Sequence, residues 1–388
     1  MPQQPFPSWE FFSALPRVTT KDEDPDHRNF FWARNAIYHA LGALRISPKA
    51  EALLPHYLCR AAVEPFLAYG MDVGFYQVGR NCEPNFEEIE SKIGPRTEAV
   101  LAVHYFGFPQ DIRAFRRLCD SRKLALIEDC AHVLTGQVSG RPLGSWGDAS
   151  VFSWRKFLPL YDGSELKLKS SYGHLQVQWR GEPVAFTLKV AKNLADRILD
   201  ESPHPLARSA GAAMDWLKHV WKSLPSNGAG SSPAPESNAV SFDRALLNQP
   251  MSRISHWLWR HSDFDAIIQR RRDNYHYLEA AFRKIEGLEP LHGELPPDTC
   301  PWVFPLSFTN LPKAHLLLRQ RGIPAAAWDF VKHPMVESMS GEADFLYANL
   351  AFLPIHQNLT PKSLDLIIDA VKHVREATPI HDEHRGRV

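Results

Sequence analysis

The chain carries no excess of charge: 44 basic and 44 acidic residues cancel. That balance argues against a nucleic-acid or membrane-surface role driven by bulk electrostatics, though not against a local patch. Cysteine is scarce, with five residues (Cys59, Cys82, Cys119, Cys130, Cys300) spread widely and no CxxC pair. A disulfide framework or a cysteine zinc site is not expected, and a reducing cytoplasm fits best. No apolar run approaches the roughly 20 residues that cross a bilayer. The opening "MPQQPFPSWEFF" lacks the basic and then apolar regions of a signal peptide. No GxGxxG follows a strand and no GxxxxGK[ST] occurs, so neither a dinucleotide fingerprint nor P-loop chemistry is written here. GxSxG and HExxH are absent as well. The terminal "HDEHRGRV" holds metal-capable side chains, but a chain end of this kind reads as a solvated tail, and no metal site is expected.

What is present is a core and a rhythm. With 388 residues, 44% of them apolar, the chain can bury two or three domains. From about residue 33, helical and strand-like patterns alternate. "RNAIYHALGALR" puts Ile37, Ala40, Leu41 and Leu44 on one helical face. "EALLP", "DVGFYQV", "EAVLAVHYFG", "LALIED" and "DASVFSW" read as strands, separated by the helical "RAAVEPFLAYG" and "DIRAFRRLCDSR". This alternation predicts an α/β fold with a mostly parallel sheet covered on both faces.

We expect an N-terminal extension over 1–29 and a large domain over 30–222. A Ser/Gly/Pro-rich linker follows at 223–239, containing "SLPSNGAGSSPAPESN", then a smaller α+β domain over 240–375 and a tail over 376–388. In the smaller domain one long helical span runs from "MSRIS" to "KIEG". "WVFPLSFTN" is a strand, "KAHLLLRQRGI" a helix ending at Gly322, and "SLDLIIDAVKHVREA" a closing helix capped by Thr360.

Residues 124–136, "LALIEDCAHVLTG", deliver acids and an imidazole at the carboxyl end of a buried strand. Asp129 ends this strand and Lys156 follows the next, in "DASVFSWRKFLPLYDG". In open α/β sheets ligands gather beyond the carboxyl ends of strands, so the two side chains can share one crevice. Taken alone, the pair reads as an ion pair. The sharper reading is a pyridoxal phosphate site, which needs a lysine for the aldehyde, an acid against the ring nitrogen and a cradle for the phosphate. Arg155 beside the lysine would depress its pKa if both lie in the pocket.

The ordered series "VHYFG", "IEDCAH", "LGSWGDASVFSWRK", "DG", "MSRIS", "RRRDNYHYL", "RGIPA" and "LPIHQNLT" resembles the DegT/DnrJ/EryC1/StrS sugar aminotransferases. The resemblance covers about residues 30–375. It implies a fold-type-I pyridoxal-phosphate enzyme, with a large domain on a seven-stranded-type sheet, which aminates nucleotide-linked keto sugars using an amino-acid donor such as glutamate. Position by position, it assigns Asp129 to the pyridine nitrogen, Ala131 to one ring face and His132 to the neighbourhood of the phenolic oxygen. Lys156 is assigned to the cofactor's aldehyde and to proton transfer, and Ser153 to the phosphate. Tyr57 falls near the aromatic that covers the other ring face. Asn248 matches an asparagine that reaches the phosphate in a partner subunit, which implies a homodimer with shared sites.

The chain departs from the family pattern in four places, one of them a longer and more irregular stretch over about 181–240. Where Ser-Gly-Thr often opens a helix at the phosphate, "WARNAIYHAL" supplies Arg34 and Asn35, and the helix N-terminus would hold the dianion. Ser153 and Lys156 stand three positions apart where many members have five. Gly163-Ser164 replaces the usual Gly-Gly after the lysine. These departures leave open a non-transaminating pyridoxal relative or a degenerate binding subunit.

Overall fold

The computed structural model describes residues 4–6, 8–13, 27–172, 176–201, 242–337 and 341–377. The expected 223–239 linker lies outside the described residues, as do residues 14–26 and the tail beyond 377.

Seven strands form the main sheet, in the order β1-β9-β8-β5-β4-β2-β3. They are β1 (His27–Phe30), β2 (Glu51–Pro55), β3 (Asp72–Tyr76), β4 (Thr97–Val103), β5 (Ala125–Cys130), β8 (Ala149–Ser153) and β9 (Ser164–Leu168). Between β5 and β8 the glycine-punctuated stretch makes a short hairpin, β6 (Gln137–Val138) and β7 (Arg141–Pro142). The pairs β3/β2, β2/β4, β4/β5 and β5/β8 are parallel, whereas β9 and β1 close one edge antiparallel. The central strands β5 and β8 are buried at every position, as sheets covered on both faces require. Their continuous apolar runs made them legible in the sequence. The edge strand β1, "HRNF", and β9, "SELKL", are too polar to announce themselves.

The covering helices are α1 (Ala33–Ala43), α2 (Arg60–Tyr69), α3 (Phe86–Lys92), α4 (Ile112–Arg122) and α5 (Val184–Glu201). Local chemistry sets their ends. Asp111 caps α4 by accepting the Ala114 N–H at 3.0 Å, and Gly70 ends α2 at φ +102°. The long helical span expected from "MSRIS" onward is two helices, α6 (Arg253–His261) and α7 (Phe264–Phe282). Ser262 turns extended, and Asp263 starts the second helix by accepting the Ala266 N–H. Apolar periodicity continues through this break because both helices present a buried face, so spacing alone could not find it.

A second sheet, β10 (Leu288–Pro290), β11 (Phe304–Phe308) and β12 (Leu350–Leu353), is antiparallel. Helices α8 (Ala314–Gln320), α9 (Pro334–Glu337), α10 (Glu342–Asn349) and α11 (Pro361–Glu376) complete this region. Thr360 caps α11 through the Ser363 N–H, as expected. Among the described residues no helix is long and apolar enough to cross a membrane.

Beneath the carboxyl ends of β4 and β5 lies a buried polar knot. Glu128 points away from Asp129 because neighbours on a strand face opposite ways. Its carboxylate accepts from His104 Nε2 (3.1 Å), Gly144 N (2.9 Å), Gly147 N and the Ser150 hydroxyl. Burial works to raise its pKa, but the histidine and the two glycine amides hold it below the usual carboxylate range. The two acids of "IED" therefore have separate jobs, and Glu128 is the one that braces the fold.

Gly107, at φ +98°, closes the tight turn that follows β4. A Cβ there would run into the Cys300 carbonyl and meet the His132 carbonyl at 3.0 Å. We expect Gly107→Ala to cost about 1–3 kcal/mol through backbone strain and displaced neighbours. Urea unfolding checks this, and an unchanged midpoint would refute the close packing.

Candidate active site

The parallel register places the ends of three strands side by side: Val103 opposite Asp129, Asp129 opposite Val151, and Cys130 opposite Phe152. A cavity of about 470 Å³ opens above them. Asp129, Ala131, His132, Ser153, Lys156 and Arg34 all line it. The acid and the amine expected to cooperate therefore occupy one space.

Asp129 is buried, and the Ala131 N–H donates to its Oδ1 at 2.9 Å. Its Oδ2 has no protein donor among the described residues. Burial pushes the carboxyl up from its ordinary range, while Lys156, the Ala131 amide and His104 pull it back. Lys156 ends the one-turn 3₁₀ segment Trp154–Lys156 that follows β8. Its ammonium lies 4.6 Å from the Trp302 ring centroid. Desolvation lowers its pKa to about 8, against the attraction of Asp129 and aided by Arg155. A lysine in this state is neutral often enough near physiological pH to attack a carbonyl.

His132 stacks on Trp302 at 4.2 Å and on Phe106 at 5.8 Å. Its Nδ1 accepts the Phe106 N–H at 3.2 Å, which leaves the ring proton on Nε2. Burial, then Lys156, holds its pKa well below the ordinary histidine value, so the imidazole is neutral.

The opposite chemistry gathers where α1 and α2 begin. Trp32, Ala33 and Arg34 at the start of α1 and Cys59 at the N-cap of α2 line the cavity, and neither helix has a side-chain cap. Arg34 is buried, with its guanidinium 4.4 Å from the Trp32 ring, and burial and then Arg155 lower its pKa to about 10. Two helix N-termini, a buried guanidinium and the Ser153 hydroxyl form a set of donors suited to a dianion.

Three expected residues lie elsewhere. Tyr57 is fully buried, packed against Trp328 and Tyr347, and does not line the cavity; the next two residues, Leu58 and Cys59, do. Asn35 turns from the cavity to donate to the Leu246 carbonyl. Asn248 pairs with His39 at 3.1 Å, outside the cavity of its own chain.

The sequence reading missed the residues that seat the lysine turn. Arg271 on α7 is 1% exposed and donates to Gln357 Oε1 (3.0 Å), the Trp302 carbonyl (2.9 Å) and the Phe157 carbonyl (3.3 Å). Gln357 donates to the same Phe157 carbonyl at 2.9 Å. Both lie in stretches quoted above, "RRRDNYHYL" and "LPIHQNLT", but only three-dimensional contact reveals what they hold. "DG" and "MSRIS" likewise meet: the buried Asp162 carboxylate accepts from the Ser252 amide (2.6 Å) and from the Ser252 and Ser255 hydroxyls. Next to it Gly163 adopts φ +124°, and a Cβ there would meet the Met251 methyl at 2.8 Å.

Residues 33–160 match the DegT/DnrJ/EryC1/StrS aminotransferase family. The GDP-perosamine synthase of Vibrio cholerae is 36% identical over 120 residues, 31% of this chain and 33% of that protein. The UDP-N-acetyl-3-dehydro-alpha-D-glucosamine 3-aminotransferase of Acidithiobacillus ferrooxidans is 36% identical over 121 residues, again 31% and 33%. The chain thus spans about a third of the length of these curated relatives. The aminotransferase TlmJ from Streptoalloteichus hindustanus superposes with a TM-score of 0.65 at 20% identity, covering 95% of this chain and 93% of that one, which shows a shared fold.

With a Lys156 pKa near 8, labelling of this lysine by an amine-directed reagent should rise through a midpoint at about pH 8. Asp129→Asn should move that midpoint lower, because the carboxylate favours the charged ammonium. Peptide mass spectrometry reads both, and a midpoint near the ordinary lysine value would show a solvated amine.

Proposed function

We infer, from the premise that the chain belongs through residues 33–160 to the DegT/DnrJ/EryC1/StrS aminotransferase family, that it is a pyridoxal-phosphate-dependent sugar aminotransferase. It moves an amino group from an amino-acid donor, glutamate being the expected one, to a keto sugar carried on a nucleotide. The relatives' names support that substrate class, since they include a GDP-perosamine synthase, a UDP-sugar 3-aminotransferase and a dTDP-sugar 4-aminotransferase. The single observation that carries the reading is the convergence of Asp129 and a desolvated Lys156 on one cavity.

The cavity fits the cofactor by the chemistry of its donors. Asp129 has a carboxylate oxygen without a protein donor and a pKa raised by burial, so a protonated ring nitrogen would relieve it. Arg34, Ser153 and the starts of α1 and α2 would hold the phosphate, replacing the missing Ser-Gly-Thr with charge and free helix ends. Pyridoxal phosphate, when bound, supplies an electrophilic carbonyl and an electron-withdrawing ring.

The chain's own residues do the rest. Lys156, neutral in part near physiological pH, would present its amine to the cofactor's carbonyl and would take and return the proton at the reacting carbon. His132, neutral and stacked on Trp302 and Phe106, offers an Nε2–H of fixed orientation. The apolar walls, Ile37, Val103, Trp302 and Phe352 among them, keep water from the reacting atoms. Asn248 lies outside its own chain's cavity, which fits a homodimer in which it serves the partner's phosphate.

Pyridoxal phosphate should turn the purified protein yellow, and borohydride reduction should then fix the cofactor to the peptide bearing Lys156. Lys156→Ala should abolish both the fixation and amino transfer from glutamate to keto-sugar nucleotides. A protein that stays colourless with excess cofactor, yet is folded, would favour the degenerate binding subunit.

A further inference from the structure

Of the large apolar side chains exposed among the described residues, Phe330 alone lines the cavity, and it is 66% exposed. It sits on the one-turn segment Asp329–Val331, beside the wall residues Trp328, Ala326 and Pro324. The Arg319 guanidinium lies 5.9 Å from its ring centroid. Arg319 is anchored by donating Nε–H to the Ala325 carbonyl at 2.6 Å, and it makes no ion pair among the described residues. Lys332, by contrast, is already committed to Asp344 at 2.9 Å.

Size sets the question these residues answer. A space of about 470 Å³ lies low in the range of roughly 300–1,000 Å³ that one small ligand fills. A cofactor and a sugar ring would fill it between them, which leaves the nucleoside diphosphate of the substrate to lie at the mouth. An exposed aromatic ring at the cavity mouth offers a flat apolar face, and every base has a π-face to lay on it. A guanidinium without a carboxylate partner suits the adjoining diphosphate.

Resting on the aminotransferase reading above, we propose that Phe330 and Arg319 form the nucleotide subsite, with the base stacked on the free face of the Phe330 ring and the diphosphate paired to Arg319. The subsite recognises the nucleotide carrier and leaves the sugar to the cavity. Because stacking on a ring tolerates any base, this platform sets affinity for the carrier more than choice among uridine, guanosine and thymidine carriers.

Equilibrium binding of UDP, GDP and dTDP to the cofactor-loaded protein, followed by calorimetry, tests the proposal without any turnover. At least one should bind, and stacking predicts that Phe330→Ala weakens it about tenfold. Phe330→Trp should bind as well as the parent, and Arg319→Gln should weaken the diphosphates more than the free nucleosides. In steady state, Phe330→Ala should raise the KM for the sugar nucleotide while kcat changes far less. Thermal melting and sedimentation of each variant separate these effects from unfolding or loss of association. If none of the three diphosphates binds, or Phe330→Ala binds them like the parent, the subsite is wrong. It is equally wrong if Phe330→Ala breaks an oligomer and leaves nucleotide affinity intact. Amino transfer with undiminished nucleotide affinity in both variants would sink this proposal and spare the aminotransferase reading; nucleotide binding without transfer would do the reverse.

Discussion

The site depends on a half-buried lysine whose charge is only partly solvated. Lys156 lies beside Trp302 in the cavity that Asp129 also lines, and its charged form is disfavoured by burial and only partly rescued by the carboxylate. Asp129 is disfavoured as an anion for the same reason. Each group alone is left with a charge that burial penalises, and a heterocycle with a cationic nitrogen and an aldehyde would relieve both. This mutual incompleteness is what distinguishes the pair from a structural salt bridge, in which each charge would already be neutralised by its partner.

Holding two such groups in register takes the whole molecule. The parallel pairing of β5 with β8 fixes the strand ends, and the short 3₁₀ turn after β8 aims the lysine. The second half of the chain then grips that turn: Arg271 and Gln357 both donate to the Phe157 carbonyl, one residue beyond the lysine. Arg271 also holds the carbonyl of Trp302, whose ring touches the amine and stacks on His132. A buried guanidinium hydrogen-bonded to neutral acceptors is an expensive device, and its position explains its presence. It ties the segment after β12 and the strand-like "WVF" approach to the turn that carries Lys156.

The end of the cavity proposed to hold a phosphate shows how a different set of side chains can leave the same backbone donors in place. Ser-Gly-Thr is absent, but the helix it would open is present and begins at the cavity. Backbone amides and the helix dipole depend on chain direction and position, whatever side chains sit there. Arg34 adds a charge from within the same turn, and α2 contributes a second N-terminus.

The chain's periodicity determined the α/β alternation, the buried strands β4, β5 and β8, the capped closing helix, and the placement of Asp129 and Lys156 at strand ends, because burial on both faces leaves a continuous apolar record. Local sequence also held the reason Glu128 and Asp129 must part company, since adjacent residues on a strand face opposite ways. Only the tertiary structure decided which aromatic and which cations surround the amine. Trp302, Arg271, Gln357 and Cys59 come from distant segments, and nothing in their local pattern separates them from ordinary core residues. It also removed Tyr57 from the cavity and put Leu58 and Cys59 at its wall, because where strand gives way to helix successive side chains face different ways. Spacing along a chain fixes which face a residue takes within one element; which faces meet across elements is settled by packing.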